Sequence, residues 1–316
     1  MTALTERDVA APDRRRESAD DAPGPRDYVP RTPKRQGRNL AWLGLLPFFI
    51  FVIAFMLLPA SSILVGSFQN EKGAFTLANF VHLFRPNILG AYLITIKVSA
   101  TTAVLGGVLG FLIAYAVTIA GLPRSLKSFM STFSGVASNF AGVPLAFAFI
   151  STLGRMGIVT VFLRTAFGLE LYDTGFNLYS FWGLSLTYTY FQIPLMILII
   201  EPALEGMKKE WREAAENLGA SSIQYWIKVG LPVLLPAFLA SFILLFGNAF
   251  GAYATAYALT GGLINLVTIL IGAQIKGNVL NDPGLGYALA FGMVIIMTVC
   301  IIAYSWLQKI SSRWVK

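Results

Sequence analysis

Long apolar runs recur six times along this chain, and polar or glycine- and proline-rich stretches separate them. A helix of about 20 apolar residues is long enough to cross the roughly 30 Å of hydrocarbon in a bilayer. The predicted spans are residues 40–66, 92–120, 131–152, 179–201, 233–257 and 287–307. We therefore predict an all-α membrane protein with six transmembrane helices.

The composition supports this fold class, because 56% of the 316 residues are hydrophobic and only 13% are charged, against about 25% charged in soluble domains. The single cysteine is Cys300 and the single histidine is His82, so the chain offers neither an internal disulfide nor a cluster of Cys and His ligands. We predict no metal site and no cofactor.

The first 39 residues differ from the rest of the chain. Residues 1–38 hold nine of the 24 basic residues, together with seven acidic residues and five prolines. Such a segment cannot bury enough apolar surface to fold, so residues 1–39 are predicted to be a disordered polar tail and residues 40–316 the six-helix domain. The chain has a net charge of +8, but more than a third of its basic residues lie in this tail, mixed with acidic residues, and this distribution argues against a nucleic-acid partner. No signal peptide is expected, because the first apolar run begins only at about residue 40.

The basic residues predict the orientation of the six spans. With a cytosolic N-terminus, the tail, residues 121–130, residues 202–232 and the C-terminal end carry 18 Lys and Arg, whereas the opposite segments carry five. Loops rich in Lys and Arg stay on the cytoplasmic side of a membrane. We therefore predict an N-in, C-in topology that places residues 202–232, between the fourth and fifth spans, in the cytosol.

The cytosolic loop carries the pattern of a short amphipathic helix. Trp211, Ala214, Ala215 and Leu218 follow the spacing i, i+3, i+4, i+7 and share one helix face. Gly219 is placed to end this helix, because glycine adopts the left-handed C-cap conformation without strain.

A second amphipathic helix is predicted to follow at once. Ser221 and Gln224 have the spacing of a capping box, which would begin a helix whose apolar face contains Ile223, Trp226 and Ile227. Gly230 and Pro232 are expected to close this helix before the fifth span begins.

Two interpretations of the helix pair remain open from the residues alone. In one, both helices lie on the inner leaflet with their tryptophans at headgroup level. In the other, the pair forms a knob that docks into a groove of a cytosolic partner. The small side chains of Ala214 and Ala215 favour the partner, because a helix that served lipid binding would gain more from larger apolar residues there.

One motif in this loop resembles a known family. It consists of Glu213, Ala214, Ala215, Gly219, Val229, Leu231 and Pro232. Its spacing is similar to that of the "EAA" loop in permease subunits of binding-protein-dependent ABC importers, with valine at position 229 where isoleucine is commoner. The resemblance covers the chain from about residue 40 to the C-terminus.

The resemblance implies a function for each part of the loop. Glu213, Ala214, Ala215 and Gly219 would form the coupling helix that docks in a cleft of a cytosolic ATPase. Leu231 and Pro232 would join this knob to the fifth span.

The resemblance also implies partners and a location. The partners would be an ABC ATPase dimer, a second identical or related permease subunit, an extracytoplasmic solute-binding protein and membrane lipid. The location would be the cell (inner) membrane of a bacterium or archaeon. The chain has no phosphate-binding G-x-x-x-x-G-K-[ST] motif, so we expect it to be a non-catalytic subunit whose partner hydrolyses ATP.

Polar residues within the apolar runs are candidates for a solute pathway, because such residues usually face a protein interior or a water-filled cavity. The candidates are Asn139, Tyr188, Tyr190, Gln192, Asn248, Tyr253 and Tyr257. Any one of them is equally explained by a hydrogen bond to a neighbouring helix. As a set they occupy three consecutive spans, which favours a lumen.

The solute is predicted from a weaker likeness. The stretch of residues 247–262 resembles the polyamine, ferric-ion and phosphonate branch of these permeases more than the sugar branch, although no mid-span carboxylate is present to bind a polycation. A sugar or glycerol-phosphate permease is the alternative within the family. Outside it, the alternatives are an ATP-independent channel or secondary transporter, and a membrane scaffold.

Overall fold

The computed structural model describes residues 44–70, 72–119, 123–276 and 282–311, and it describes only the backbone of residues 124, 276, 310 and 311. The predicted tail, residues 1–39, lies outside the described residues. The chain divides into two units, residues 1–53 and 54–316. Helix α1 is in the first unit, and helices α2 to α14 are in the second.

Regular structure in the described residues is helical apart from one isolated bridge between Gln69 and Phe75. The helices are α1 (Leu46–Val52), α2 (Leu58–Ser67), α3 (Ala78–Leu83), α4 (Pro86–Ile119), α5 (Arg124–Asn139), α6 (Gly142–Leu153), α7 (Ile158–Phe167), α8 (Phe181–Glu205), α9 (Lys209–Asn217), α10 (Ser222–Tyr225), α11 (Leu231–Phe250), α12 (Ala254–Thr260), α13 (Val267–Lys276) and α14 (Pro283–Ser311). Two π-helical segments, Ile53–Leu57 and Trp226–Gly230, lie between α1 and α2 and between α10 and α11.

Six helical stretches of the described chain are long and apolar enough to cross a membrane. They are Leu46–Ser67, Pro86–Ile119, Gly142–Phe167, Phe181–Glu205, Ser222–Phe250 and Pro283–Lys309. The predicted all-α fold with six spans is therefore confirmed. The orientation of the spans stays a prediction.

Helix α8 is the central span of the second unit. Two thirds of its apolar window is buried, twice the share of any other span. It packs closely along α4, where Gly106 and Gly110 leave room for the backbone and side chains of α8. An added Cβ at Gly110 would lie 2.6 Å from the Cβ of Met196, so this close approach requires glycine, as is common between membrane helices.

The predicted third span, residues 131–152, is wrong. Helix α5 ends at Asn139, residues 140–141 are not helical, and α6 begins at Gly142, whose φ is +73°. Pro144 supplies a physical reason, because a proline ring in a continuous helix would clash with the carbonyl group four residues earlier, that of Phe140. The third candidate span therefore combines α6 and α7, and α5 is a separate helix that packs against α8.

The predicted fifth span, residues 233–257, is also displaced. It begins earlier, at Ser222, and α11 ends at Phe250. The helix is then interrupted at residues 251–253, before the short helix α12 begins. The break is stabilised from outside the helix, since the hydroxyl of Tyr188 donates a 2.9 Å hydrogen bond to the carbonyl oxygen of Ala252.

Candidate functional site

The first short helix between α8 and α11, in the loop predicted to be cytosolic, ends as predicted. Leu218 is the C-cap of α9, and Gly219 follows in the left-handed conformation with a φ of +80°. The N–H of Ala220 donates to the carbonyl oxygen of Ala215, and the N–H of Gly219 donates to that of Glu216, both at 2.9 Å. This pair of bonds is a Schellman motif, so the predicted glycine C-cap is confirmed.

The second short helix begins at the predicted capping box. The hydroxyl of Ser221 accepts a 3.3 Å hydrogen bond from the N–H of Gln224, and the Gln224 side chain accepts a 2.9 Å bond from the N–H of Ser221. Two N–H groups that the helix itself leaves without partners are thereby satisfied.

The predicted end of the second helix is wrong. Gly230 and Pro232 do not close it, because α10 passes through the π-helical segment Trp226–Gly230 directly into α11. A proline near the start of a helix is tolerated, and a π-helical turn adjusts the hydrogen-bond ladder around such a position. The predicted apolar face is also incomplete: Trp226 packs inward beside Tyr115, but Ile223 is 71% exposed.

One face of α9 borders an apolar groove of about 570 Å³. We define the apolar groove by Trp211, Ala214, Ala215 and Leu218 of α9 together with Val229 and Pro232 of the following segment. The four residues of α9 are those of the predicted face, which is therefore confirmed. Leu218 remains 88% exposed, so the groove is uncovered in the isolated chain.

The opposite face of α9 borders a charged cavity of about 630 Å³ at the ends of α4 and α8. Its charged side chains are those of Lys127, Glu205, Lys208, Lys209, Arg212, Glu213 and Glu216. Lys127 forms an ion pair with Glu205, and Arg212 donates to Glu216 at 2.9 Å. The hydrogen bond from Arg212 to Glu216 raises the pKa of the guanidinium above its ordinary value. The sequence did not indicate this cavity, because Lys127 comes from α5, which is far from α9 along the chain.

The motif residues therefore lie on different surfaces. Glu213 lines the charged cavity, whereas Ala214 and Ala215 line the apolar groove. Gly219 is exposed at the turn between the two helices. Leu231 and Pro232, in the first turn of α11, are both exposed, and Pro232 also borders the apolar groove.

Two of the candidate pathway residues are buried between helices. Tyr188 is 1% exposed and donates to Ala252, as described above. Gln192 is 0% exposed, and its side-chain amide donates a 2.7 Å hydrogen bond to the carbonyl oxygen of Leu245. Both side chains hold α11 and the break after it against α8.

Four other candidates are exposed near the two breaks, namely Asn139, Tyr190, Asn248 and Tyr257. Tyr253 is half-buried and stacks on Tyr257, with the ring centroids 5.4 Å apart. The exposed side chains present amide and phenol groups and no charge. Within the described residues, no three His, Cys, Asp or Glu side chains come close enough to hold a metal ion.

A hydrogen bond that the sequence did not predict joins the two breaks. The N–H of Gly142, at the start of α6, donates to the hydroxyl of Thr255 on α12 at 2.7 Å. Thr255 is buried, and α6 packs along α12. We call this pair of breaks, residues 139–142 and 251–255, the helix joint.

Comparison with known families gives a match over most of the chain. Residues 106–316 match the sequence profile of a family described as "Binding-protein-dependent transport system inner membrane component". This region includes α8, the two short helices α9 and α10, and the helix joint.

Curated relatives are sulfate permeases. The chain is 26% identical over 187 residues to the sulfate transport system permease protein CysT of Salmonella typhimurium strain LT2, covering 58% of this chain and 62% of the relative. It is 29% identical over 150 residues to the CysT protein of Synechococcus elongatus, covering 47% and 50%. The match thus spans about half to three fifths of the relatives' length. The predicted polyamine, ferric-ion and phosphonate branch is wrong, because these relatives carry the name of a sulfate system.

Solved structures share the fold. A bacterial ABC transporter involved in the import of the acidic polysaccharide alginate matches with a TM-score of 0.64 at 16% identity, covering 88% of this chain and 96% of that chain. The same transporter in complex with an alginate pentasaccharide-bound periplasmic protein matches with a TM-score of 0.62 at 17% identity, covering 88% and 95%.

Proposed function

Because this chain belongs to the family of binding-protein-dependent transport system inner membrane components, we propose that it is a membrane-spanning permease subunit of an ATP-driven importer. A second permease subunit would complete the solute path, and two cytosolic ATPase subunits would dock on the cytosolic loops. A solute-binding protein on the other side of the membrane would deliver the solute. This chain would itself be non-catalytic.

The cytosolic loop is the observation that carries this proposal. A solvated turn has no need of two capped helices in series, yet α9 ends in a Schellman motif and α10 begins with a capping box only three residues later. The turn is exposed, and the apolar groove beside it is uncovered. An exposed, well-defined helical knob next to an apolar groove is suited to docking with another protein.

The continuity from α10 to α11 suggests how docking is coupled to transport. An ATPase pair that closes on ATP would displace the knob of each permease subunit, and the helix would carry that displacement to the helix joint. The differential affinity of the ATPases for their closed state would supply the free energy for switching. The N-in, C-in topology that the basic residues predict places the knob on the required side.

We further propose that the solute is a small oxyanion such as sulfate. The support is the name of the curated relatives and the chemistry of the four exposed candidates, Asn139, Tyr190, Asn248 and Tyr257. Amide and phenol groups donate hydrogen bonds to an anion. No carboxylate stands among them to attract a polyamine or a metal ion.

The docking role is tested with a matched pair of glycine variants. Gly219 and Gly175 have φ values of +80° and +89°, and an added Cβ meets no atom within 4 Å at either position. Gly219→Val and Gly175→Val should therefore introduce similar backbone strain. We expect Gly219→Val to abolish co-purification of the ATPase and solute uptake, and Gly175→Val to retain the ATPase. Retention of the ATPase by Gly219→Val would refute the docking role.

The solute is tested separately, in proteoliposomes that contain the complete complex and its binding protein. Uptake of radiolabelled sulfate should require ATP and should compete with other tetrahedral oxyanions, but not with polyamines or maltose. Competition by a polyamine without competition by an oxyanion would overturn the solute and leave the docking role intact.

A further inference from the structure

The charged cavity holds an excess of positive charge that its own ion pairs do not neutralise. Four of its seven charged side chains are basic and three are acidic. The pairs Lys127–Glu205 and Arg212–Glu216 account for four of them. Lys208 and Lys209 are left facing one carboxylate, that of Glu213, and no ion pair joins these three in the described part of the chain.

The position of the cavity relative to the spans indicates what it contacts. Ile119 and Glu205 line it, and they are the last residues of the candidate spans Pro86–Ile119 and Phe181–Glu205. The cavity therefore lies at the ends of two candidate transmembrane helices, on the side of α9. Its wall contains Trp226, an amphipathic aromatic residue of the type enriched at membrane–water interfaces. Its floor, formed by Ile119 and Leu204, is apolar.

The start of α9 adds to the positive character of the cavity. Lys208 is the N-cap of this nine-residue helix and provides no side-chain hydrogen bond to its first N–H groups. The partial positive charge of the helix N-terminus thus lies beside the two lysine ammonium groups and the guanidinium of Arg212.

From these observations we propose that the charged cavity binds a phosphate-type oxyanion through Lys208 and Lys209. Basic pockets at the ends of transmembrane helices bind anionic lipid headgroups, and lysine is a common phosphate ligand. The same chemistry is offered by two sources, the phosphodiester of an anionic phospholipid and a free inorganic oxyanion. A bound anion bridges α9 to the ends of α4 and α8, so occupancy stabilises the base of the knob. This site lies apart from the exposed candidate pathway residues and does not depend on the identity of the solute.

The test uses the full chain purified in a neutral detergent. Tryptophan fluorescence reports binding, because Trp226 lines the cavity, while short-chain phosphatidylglycerol, sodium phosphate or sodium sulfate is titrated at constant ionic strength. The variant is the double substitution Lys208→Gln with Lys209→Gln. The matched control is Lys228→Gln, which removes an exposed lysine that borders the apolar groove instead.

We expect the double substitution to weaken binding about 30-fold, since each lysine near a membrane surface contributes roughly fivefold to anion attraction. The control should bind as the wild type does. A response to phosphatidylglycerol alone assigns the site to a lipid headgroup, whereas a response to phosphate or sulfate assigns it to a free oxyanion. The proposal is overturned if the wild type binds no probe, if the double substitution has no effect, or if the control loses as much affinity.

Discussion

Two interruptions of the helices differ in character, namely the turn at Gly219 and the helix joint. Every hydrogen bond that shapes the turn at Gly219 joins residues at most five positions apart. The joint instead depends on bonds between residues 64 and 113 positions apart, those of Tyr188 with Ala252 and of Gly142 with Thr255. An exposed turn can be made by its own sequence and water, whereas a break packed among buried side chains needs distant groups to satisfy its backbone.

The largest effect is expected at Tyr188, which supports the joint. Tyr188→Ala would leave a cavity at a fully buried site and remove the hydroxyl that satisfies Ala252, for a loss of about 3–5 kcal/mol in unfolding free energy. Tyr190→Ala is the control, because Tyr190 lies on the same helix but is 37% exposed, and its replacement should cost far less. Denaturant titration of the two purified variants in detergent measures both losses in the free energy of unfolding. Equal losses would remove the contrast between the two interruptions.

Thr255→Val tests the hydrogen bond that joins the two breaks. The substitution keeps the shape of the side chain but leaves the N–H of Gly142 without its acceptor, which we expect to cost about 2 kcal/mol. Thr260→Val is matched to it, since Thr260 is also buried on α12 but donates within its own helix, to the carbonyl oxygen of Ala256. The same denaturant titration should show a smaller loss for Thr260→Val. Equal losses in the free energy of unfolding would mean that the hydrogen bond from Gly142 to Thr255 contributes no more than a bond within α12.

A pair of alanine substitutions compares the two regions directly. Gly142 and Gly219 have φ values of +73° and +80°, and both have room for a Cβ. Each alanine should cost about 1 kcal/mol through backbone strain alone. We expect Gly142→Ala to reduce uptake while the ATPase stays bound, and Gly219→Ala to weaken binding of the ATPase. Pull-down and uptake assays on both variants separate the outcomes, and identical profiles would contradict two distinct roles.

The smallest effect is expected at the capping box. Ser221→Ala removes the hydroxyl that accepts from Gln224, for a loss of about 0.5–1 kcal/mol confined to α10. Hydrogen exchange at the first amides of α10 should accelerate a few-fold. Ser222→Ala, one residue later and without a capping bond, should leave exchange unchanged; faster exchange in that variant would point to general fraying.

The difference between local and long-range hydrogen bonds explains which features of the fold could be predicted from the sequence. Gly219, Ser221 and Gln224 act on near neighbours, and the face of α9 follows from helical spacing, so these features were predicted and are confirmed. Pro144 was a signal for the break at residues 140–141, because its ring excludes a continuous helix there. The continuation of α10 into α11 was missed because Gly230 and Pro232 resemble a helix end when a π-helical turn is not considered.

The polar residues within the spans show most clearly what the sequence alone does not predict, namely which of them are buried. Tyr188, Tyr190 and Gln192 occur within five residues and have similar character, yet Tyr190 is exposed while the other two are buried. Helical spacing places Tyr188 and Gln192 on one face of α8 and Tyr190 on the opposite face, but it does not say which face is covered. The groups that cover the first face are the carbonyl oxygens of Leu245 on α11 and of Ala252 just after it, more than 50 residues away along the chain.

The uninterrupted path from α10 to α11 has a mechanical consequence. Residues Ser222–Phe250 form one stretch of 29 residues, which at 1.5 Å per residue is a rod about 43 Å long. One end of the rod begins at the capping box and the other stops at the break after Phe250. A tilt of a few degrees about the first end therefore moves the second end by several ångströms, so that a small rotation of the knob becomes a larger displacement at the helix joint.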